Sequence, residues 1–99
     1  MVQKRNDEYE IILPTSGRGK KEIESLYRRR KKQLDKTIVK LTSSPADYNL
    51  KGIEKLDNPE LGQYTIRVSK GERLFYDVDE KSKKVYILRA GKHDLYRLI

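Results

Sequence analysis

Hydrophobic residues recur at helical intervals through the first half of the chain. The periodic segment covers residues 20–42 and ends before Pro45, which predicts helix there. No apolar position falls within residues 28–32 (RRRKK), so the pattern fits either one long helix or two shorter helices in a hairpin. The apolar positions of this segment are Ile23, Leu26, Tyr27, Leu34, Ile38 and Leu41.

The second half of the chain alternates between apolar and polar residues, which is typical of half-buried strands. Residues 46–61 are predicted as a loop, in which Ile53 and Leu56 are compatible with one helical turn. A short segment rich in strand formers also precedes the helix and ends at Pro14. The predicted strands are residues 9–13 (YEIIL), 64–68 (YTIRV), 73–78 (RLFYDV) and 85–90 (VYILRA).

A three-residue loop at 69–71 is the favoured connection of the central hairpin, with Gly71 at a position that favours positive φ. A two-residue loop would mix apolar and polar residues on each face, which a half-buried sheet disfavours. The preferred register keeps the apolar side chains on one face. Its predicted pairs are Val68 with Glu72, Arg67 with Arg73, Ile66 with Leu74, and Tyr64 with Tyr76.

This register places Arg67 and Arg73 opposite each other on the second face of the sheet. Opposed like charges are unfavourable by up to about 1 kcal/mol, and an anion between them would reverse that effect. A phosphate site is therefore one interpretation. The alternatives are that both guanidinium groups extend into water, or that Glu72 and Asp77 neutralise them.

The only histidine of the chain is expected to lie close to these arginines. Pairing Val78 with Val85 and Tyr76 with Ile87 sets Arg73 opposite Ala90. The strand is expected to end at Gly91, which brings His93 beside the pair. Histidine transfers protons at neutral pH, so His93 is a candidate catalytic residue.

Composition narrows the classes of function that remain. The 99 residues suffice for one domain, residues 1–99, and the net charge of +8 favours a polyanionic partner over a neutral one. There is no cysteine and one histidine, so no cofactor or metal is expected. No apolar run is long enough to span a bilayer and no secretory leader is visible, which predicts a cytoplasmic protein without a membrane partner.

The C-terminal half resembles the RelE/ParE superfamily of toxins. The resemblance rests on LKG at residues 50–52, on a strand ending in arginine, on a short turn followed by R-L-x-Y, and on G-K-H before a tail aromatic. It extends most clearly to the RelE, YoeB and YafQ branches. It implies an α+β fold in which a helical hairpin, bent within residues 27–30, packs on one face of a small antiparallel sheet.

The resemblance also implies a function. Relatives are metal-independent endoribonucleases that cut mRNA, many of them in the ribosomal A site, and a protein antitoxin neutralises them. The 2′-hydroxyl of a nucleotide attacks the adjacent phosphate and the 5′-oxygen leaves, giving a 2′,3′-cyclic phosphate. By position, Arg73 and Arg67 would stabilise the phosphate charge, and His93 would be the general acid. Tyr96 would stack on a base or orient the phosphate.

Two departures from the family pattern bear on the chemistry. Thr65 replaces the first of two lysines that RelE carries on the strand before the turn. The glutamate base of the YoeB type, just before L-K-G, has no match, since Tyr48 and Asp47 stand there. The general base is therefore unassigned.

The basic helical segment is a second candidate contact with RNA. Ten basic residues lie within positions 18–40 against three acidic ones. This surface fits ribosomal RNA, an acidic antitoxin, or simply a solvated outer face. The expected RNA-binding residues are Lys92, Lys51, Arg28, Arg29, Arg30, Lys31 and Lys32.

Two other functions remain open on the same fold. One is a ParE-like inhibitor of DNA gyrase without enzymatic activity, and the other is an RNA-binding domain without catalysis. A gyrase inhibitor has no chemical need for the set Arg67, Arg73, His93 and Tyr96. An mRNA-cleaving toxin is therefore the preferred hypothesis.

Overall fold

The computed structural model describes residues 8–47, 52–57 and 60–92. Its five strands form one sheet in the order β1-β5-β4-β3-β2, and the helix packs on one face. The elements in chain order are β1 (Glu10–Ile12), α1 (Gly17–Ser43), β2 (Ile53–Lys55), β3 (Tyr64–Ser69), β4 (Glu72–Asp79) and β5 (Lys84–Lys92). The predicted α+β class is confirmed.

The sheet is mixed, whereas a wholly antiparallel sheet was expected. β1 runs parallel to β5, and every other neighbouring pair of strands is antiparallel. Parallel neighbours require a long crossover between them. Here the connection contains α1 and the three other strands, so the chain can enter β5 in the same direction as β1.

α1 consists of two helical segments that meet at a single non-helical residue. Arg30 has non-helical backbone angles, φ −138° and ψ 46°, and helical residues stand on both sides of it. The break lies within residues 27–30, where the bend was expected, and it divides α1 into two helical segments. The first runs from Gly19 beside Leu88 to Arg30, which binds Glu72, and the second returns to Thr42 beside Tyr9, as the predicted hairpin requires.

Four of the six predicted apolar positions are buried, Ile23, Leu26, Leu34 and Leu41. Ile38 is half-buried, Tyr27 is exposed, and Thr37, which was not predicted, is buried.

The core lies between α1 and the face of the sheet predicted to be apolar. Ile66, Leu74 and Tyr76 are buried there against the helix residues. The rings of Tyr64 and Tyr76 stack with centroids 5.9 Å apart. Because side chains alternate along a strand, the residues between these positions lie on the opposite face.

The β3–β4 hairpin keeps three of the four predicted pairs. Ser69, not Val68, is paired with Glu72, and the register is irregular between Arg67 and Ser69. The predicted three-residue loop is therefore wrong: the turn is residues 70–71, and Gly71 has no positive φ. The bulge leaves Val68 unpaired in the register and still buried in the core.

The β4–β5 pairing also begins as predicted and then shifts. Val78 pairs with Val85, as predicted, and an irregularity between Phe75 and Tyr76 moves the later partners by one residue. Arg73 consequently lies opposite Gly91, not Ala90. The strand continues to Lys92, so the predicted end at Gly91 is also wrong.

The predicted loop over residues 46–61 contains the edge strand β2. Its three residues pair antiparallel with β3, Ile53 with Ile66 and Glu54 with Thr65. Ile53 is buried in the core, while Glu54 is exposed. Three residues are too few to display a period of two, so the pattern could not distinguish this strand from a helical turn.

Candidate functional site on the outer face of the sheet

Two arginines face each other on the side of the sheet that α1 does not cover. Arg67 of β3 is paired with Arg73 of β4, as the sequence predicted. Each sits next to a core residue, Ile66 or Leu74, and the alternation along the strand turns the arginines to the outer face. Arg67 is exposed, whereas Arg73 retains 3% of its accessible surface. The pair therefore has one accessible and one buried guanidinium.

Glu54 of β2 neutralises the buried arginine. Its Oε2 lies 2.6 Å from Arg73 Nη2, and its side chain is 53% exposed. Arg73 Nη1 also donates a long hydrogen bond of 3.5 Å to the carbonyl oxygen of Gly52. Of the alternatives that the sequence left open, neutralisation by carboxylate is realised for Arg73, but by a residue that the sequence did not single out.

The two carboxylates expected near the arginines have other partners. The backbone N–H of Gln63 donates to Asp77 Oδ1 at 2.9 Å. Glu72 binds the guanidinium groups of Arg29 and Arg30 on α1, and the Arg30 Nε to Oε1 distance is 3.2 Å. These ion pairs tie the kink of the helix to the start of β4.

The hydrogen bonds at Glu72 favour its ionised form. Partial burial acts to raise the pKa of this carboxyl, but hydrogen bonds from its two arginine partners and from Ser69 outweigh burial and hold the pKa below its usual value. The Ser69 hydroxyl donates to Oε1 at 3.0 Å. Glu72 is therefore a charged anchor at neutral pH.

The RRRKK run divides into two groups with different environments. Arg29 and Arg30 are engaged by Glu72, as described above. Arg28, Lys31 and Lys32 are exposed, and Lys31 Nζ lies 5.7 Å from the centroid of the Tyr27 ring. Two of the five predicted RNA-binding cations of this run are thus already paired with an acidic side chain.

A cleft of about 240 Å³ lies between α1 and the edge of the sheet near Gly91. A bidentate ion pair lies beside the cleft. Arg89 Nε and Nη2 donate hydrogen bonds to the two carboxylate oxygens of Glu22 at 2.6 and 2.8 Å. These hydrogen bonds raise the pKa of the Arg89 guanidinium above its ordinary value. The contact fixes the helix against β5 close to the predicted site.

Of four further predicted site residues, one lies in β5 and three lie outside the described residues. Lys92 is exposed and paired in register with Glu72. His93, Tyr96 and Lys51 lie outside the described residues, and their roles stay predictions.

The described residues contain neither a metal-binding cluster nor a membrane-spanning helix. Within residues 8–47, 52–57 and 60–92, no group of three or more His, Cys, Asp or Glu side chains is arranged to hold a metal ion. In the same ranges, no helix combines the length and apolar character needed to cross a membrane.

Solved toxin structures share this fold. RelE in the archaeal RelE–RelB complex from Pyrococcus horikoshii superposes with a TM-score of 0.66 at 21% identity, covering 89% of this chain and 98% of RelE. YoeB from Staphylococcus aureus gives 0.60 at 25% identity, covering 87% and 98%. YafQ from E. coli gives 0.60 at 18% identity, covering 90% and 98%. By sequence, the chain matches no protein-family model and no curated protein.

These comparisons confirm the resemblance expected from the sequence. The chain is similar in structure to RelE, YoeB and YafQ toxins over most of its length. At this level of identity the similarity establishes an α+β fold of the RelE type. What the fold does in this chain has to be argued from its own residues.

Proposed function

We propose that this protein is the toxin of a type II toxin–antitoxin system and that it cleaves mRNA as a metal-independent endoribonuclease. The observation that supports this most is the opposed pair Arg67 and Arg73 on the face of a RelE-type sheet opposite α1, where Arg67 is exposed. An exposed arginine with a second, buried arginine paired to it across the strands can stabilise the charge that develops on a phosphate during cleavage.

In the proposed reaction, the 2′-hydroxyl of a nucleotide attacks the adjacent phosphorus and the 5′-oxygen leaves, with a 2′,3′-cyclic phosphate as the product. Arg67 is exposed and contacts the phosphate directly. Arg73 lies beneath the surface and adds positive charge. His93 protonates the leaving oxygen, and Tyr96 stacks on a base.

The proposed partners are mRNA, the ribosome and a cognate antitoxin. Cleavage takes place in the ribosomal A site, in the cytoplasm, and the basic helix together with Lys92 and Lys51 contacts ribosomal RNA. Structural neighbours support the antitoxin: they include the RelE–RelB complex from Pyrococcus horikoshii and the DinJ–YafQ complex from E. coli. An acidic antitoxin would also complement the net charge of +8.

Primer extension on a defined mRNA, with and without purified ribosomes, tests the proposal. We expect breaks with the wild-type protein and at least a hundredfold slower cleavage with Arg67→Ala, because this variant removes the accessible phosphate contact. Arg67 is exposed, so the variant should fold normally. Lys81→Ala removes an exposed cation in the β4–β5 turn and should cleave at the wild-type rate.

Other results would support the competing functions. Intact mRNA together with stalled gyrase–DNA complexes would contradict the proposal and identify a ParE-like gyrase inhibitor. Binding of RNA without cleavage would instead identify a non-catalytic RNA-binding domain.

A further inference from the structure

We propose that Glu72 is a positioning residue that holds Arg67 and Arg73 in place through the bend of α1, an inference that rests on the function proposed above. Glu72 is the first residue of β4 and directly precedes Arg73, the buried member of the pair. Its carboxylate binds Arg29 and Arg30, where α1 departs from helical geometry. One side chain therefore connects the helix to the strand that carries Arg73.

Three strand ends meet at Glu72. It is paired in register with Ser69, the last residue of β3, and with Lys92, the last residue of β5. Arg67 lies two residues before Ser69, and His93 comes directly after Lys92 in the sequence. Glu72 is therefore joined to both neighbouring strands at the end of the sheet where the proposed site lies.

This end of the sheet depends on side-chain contacts because its backbone ladder is irregular. The register shifts between Arg67 and Ser69, and a bulge of this kind disrupts the ladder locally. Both carboxylate oxygens of Glu72 are engaged here. Oε1 accepts hydrogen bonds from the Ser69 hydroxyl at 3.0 Å and from Arg30 Nε at 3.2 Å, and Oε2 accepts one from Arg29.

The bend of α1 is a fixed point for these contacts. Leu26 and Leu34 lie on either side of the bend, and both are buried in the core. An isolated surface ion pair contributes little, but two arginines that share one carboxylate form a network. Since the Glu72 side chain is only 13% exposed, water has little access to replace its partners. The start of β4 is therefore held against an anchored part of the helix.

Loss of this anchor should affect the chemical step more than the binding of RNA. Arg67 is exposed and meets the phosphate from the surface, whereas Arg73 acts from beneath it. Stabilisation of the developing charge requires both guanidinium groups at the correct distance from one phosphate. A displacement of about 1 Å can slow such a reaction about 10²-fold.

The test measures single-turnover cleavage of ribosome-bound mRNA over a range of concentrations of the wild type and of Glu72→Gln. We expect a maximal rate about 10- to 100-fold lower for Glu72→Gln, because the neutral amide binds the two guanidinium groups weakly. The half-saturating concentration should stay the same or fall, since Arg29 and Arg30 become available to RNA. Partial unfolding would do the opposite: it would raise the half-saturating concentration and leave the maximal rate unchanged.

A double-mutant cycle tests the route through α1. Arg29→Gln with Arg30→Gln should also lower the maximal rate, and adding Glu72→Gln to these two changes should lower it little further. Glu72→Asp keeps the charge and should recover part of the rate. Glu80→Gln removes an exposed carboxylate in the β4–β5 turn and should match the wild type.

The outcomes distinguish the two proposals. Wild-type protein that cuts no mRNA overturns the proposed function and the role of Glu72 with it. Active wild type with an unchanged maximal rate for Glu72→Gln overturns only the role of Glu72, and shows that this carboxylate merely stabilises the fold. Decreases that multiply fully in the combined variant also overturn it, because Glu72 would then act independently of the helix.

Discussion

Tyr76 connects the core of the sheet to the segment that follows α1. Its side chain is completely buried, and its hydroxyl donates a 2.7 Å hydrogen bond to the carbonyl oxygen of Pro45. Burial raises the pKa of this phenol well above its ordinary value, and the neighbouring Tyr64 contributes in the same direction. Tyr76 therefore holds the end of the helix against the sheet and remains protonated over a wide pH range.

Tyr76→Phe should lower the free energy of unfolding by about 1–2 kcal/mol at pH 7, because the Pro45 carbonyl loses its donor. Above about pH 10 the unfolded wild type can ionise this phenol while the folded state keeps the proton, so the wild type loses stability as pH rises. The gap between the two proteins should narrow by up to about 1.4 kcal/mol per pH unit there. Urea denaturation from pH 7 to pH 11 measures it. Curves that remain parallel would contradict this account.

The residues of the candidate site differ in how far the sequence could predict them. The facing of Arg67 and Arg73 followed from the period of two and from the apolar face, and the structure confirms it. The ion pair between Arg73 and Glu54 did not follow, because the strand that carries Glu54 is too short to leave a pattern. Charge pairing between distant segments depends on the tertiary fold, which a local pattern does not contain.

The helix α1 approaches the backbone of β5 closely at Gly19. A Cβ atom at Gly19 would overlap the carbonyl oxygen of Leu88, which belongs to the backbone of β5 and cannot rotate away. Only a residue without a side chain allows the first turn of the helix to lie this close to the strand. The nearby Glu22–Arg89 contact depends on the same approach.

Gly19→Ala should destabilise the protein by about 1–3 kcal/mol, because the helix must move away from β5. Gly71→Ala is the matched control: it has no atom within 4 Å of its added Cβ and no positive φ, so it should change stability by less than about 0.5 kcal/mol. Urea denaturation compares the two variants with the wild type. Equal stability of both would show that the helix can shift at no cost.

At the level of elements, the sequence predicted the long periodic segments and missed the short or irregular ones. Most apolar positions of α1 and the alternating residues of β3 and β4 are where they were expected, whereas Tyr27 is exposed. The strand β2, the bulge at Val68 and the register shift between Phe75 and Tyr76 were not. A bulge inserts one residue without changing the composition of a strand, so only the pairing of two backbones reveals it.

Over the whole molecule, the net charge of +8 is unevenly available to a partner. Arg73 and the pair Arg29 and Arg30 are neutralised within the protein by Glu54 and Glu72. Within the part of the chain that the structure describes, no ion pair involves the three other cations of the RRRKK run, Arg28, Lys31 and Lys32, which are exposed. The proposed contact with RNA should depend mainly on these three residues.

Replacing Arg28, Lys31 and Lys32 with Gln should weaken binding to ribosomes and reduce the slope of log K against log salt by about 2 to 3, because each cation releases counterions from a phosphate. Arg29→Gln with Arg30→Gln should reduce the slope less per charge removed, and should lower stability because Glu72 loses its partners. Binding titrations between 50 and 300 mM KCl, with urea denaturation alongside, measure both. If both variants lost the same amount of salt-dependence slope per charge removed, the proposed difference between the paired and the unpaired cations of the RRRKK run would be contradicted.

The position of β5 has a consequence for the order of events during synthesis. This strand pairs with both β1 and β4, and Glu10 of β1 finds its partner only at Lys84. Until β5 has been translated, β1 has no neighbour, β4 lacks one edge, and Gly19 has no strand to approach. Contacts between such distant segments form late. A protein proposed to attack translation thus acquires its fold only after its own β5 has been made.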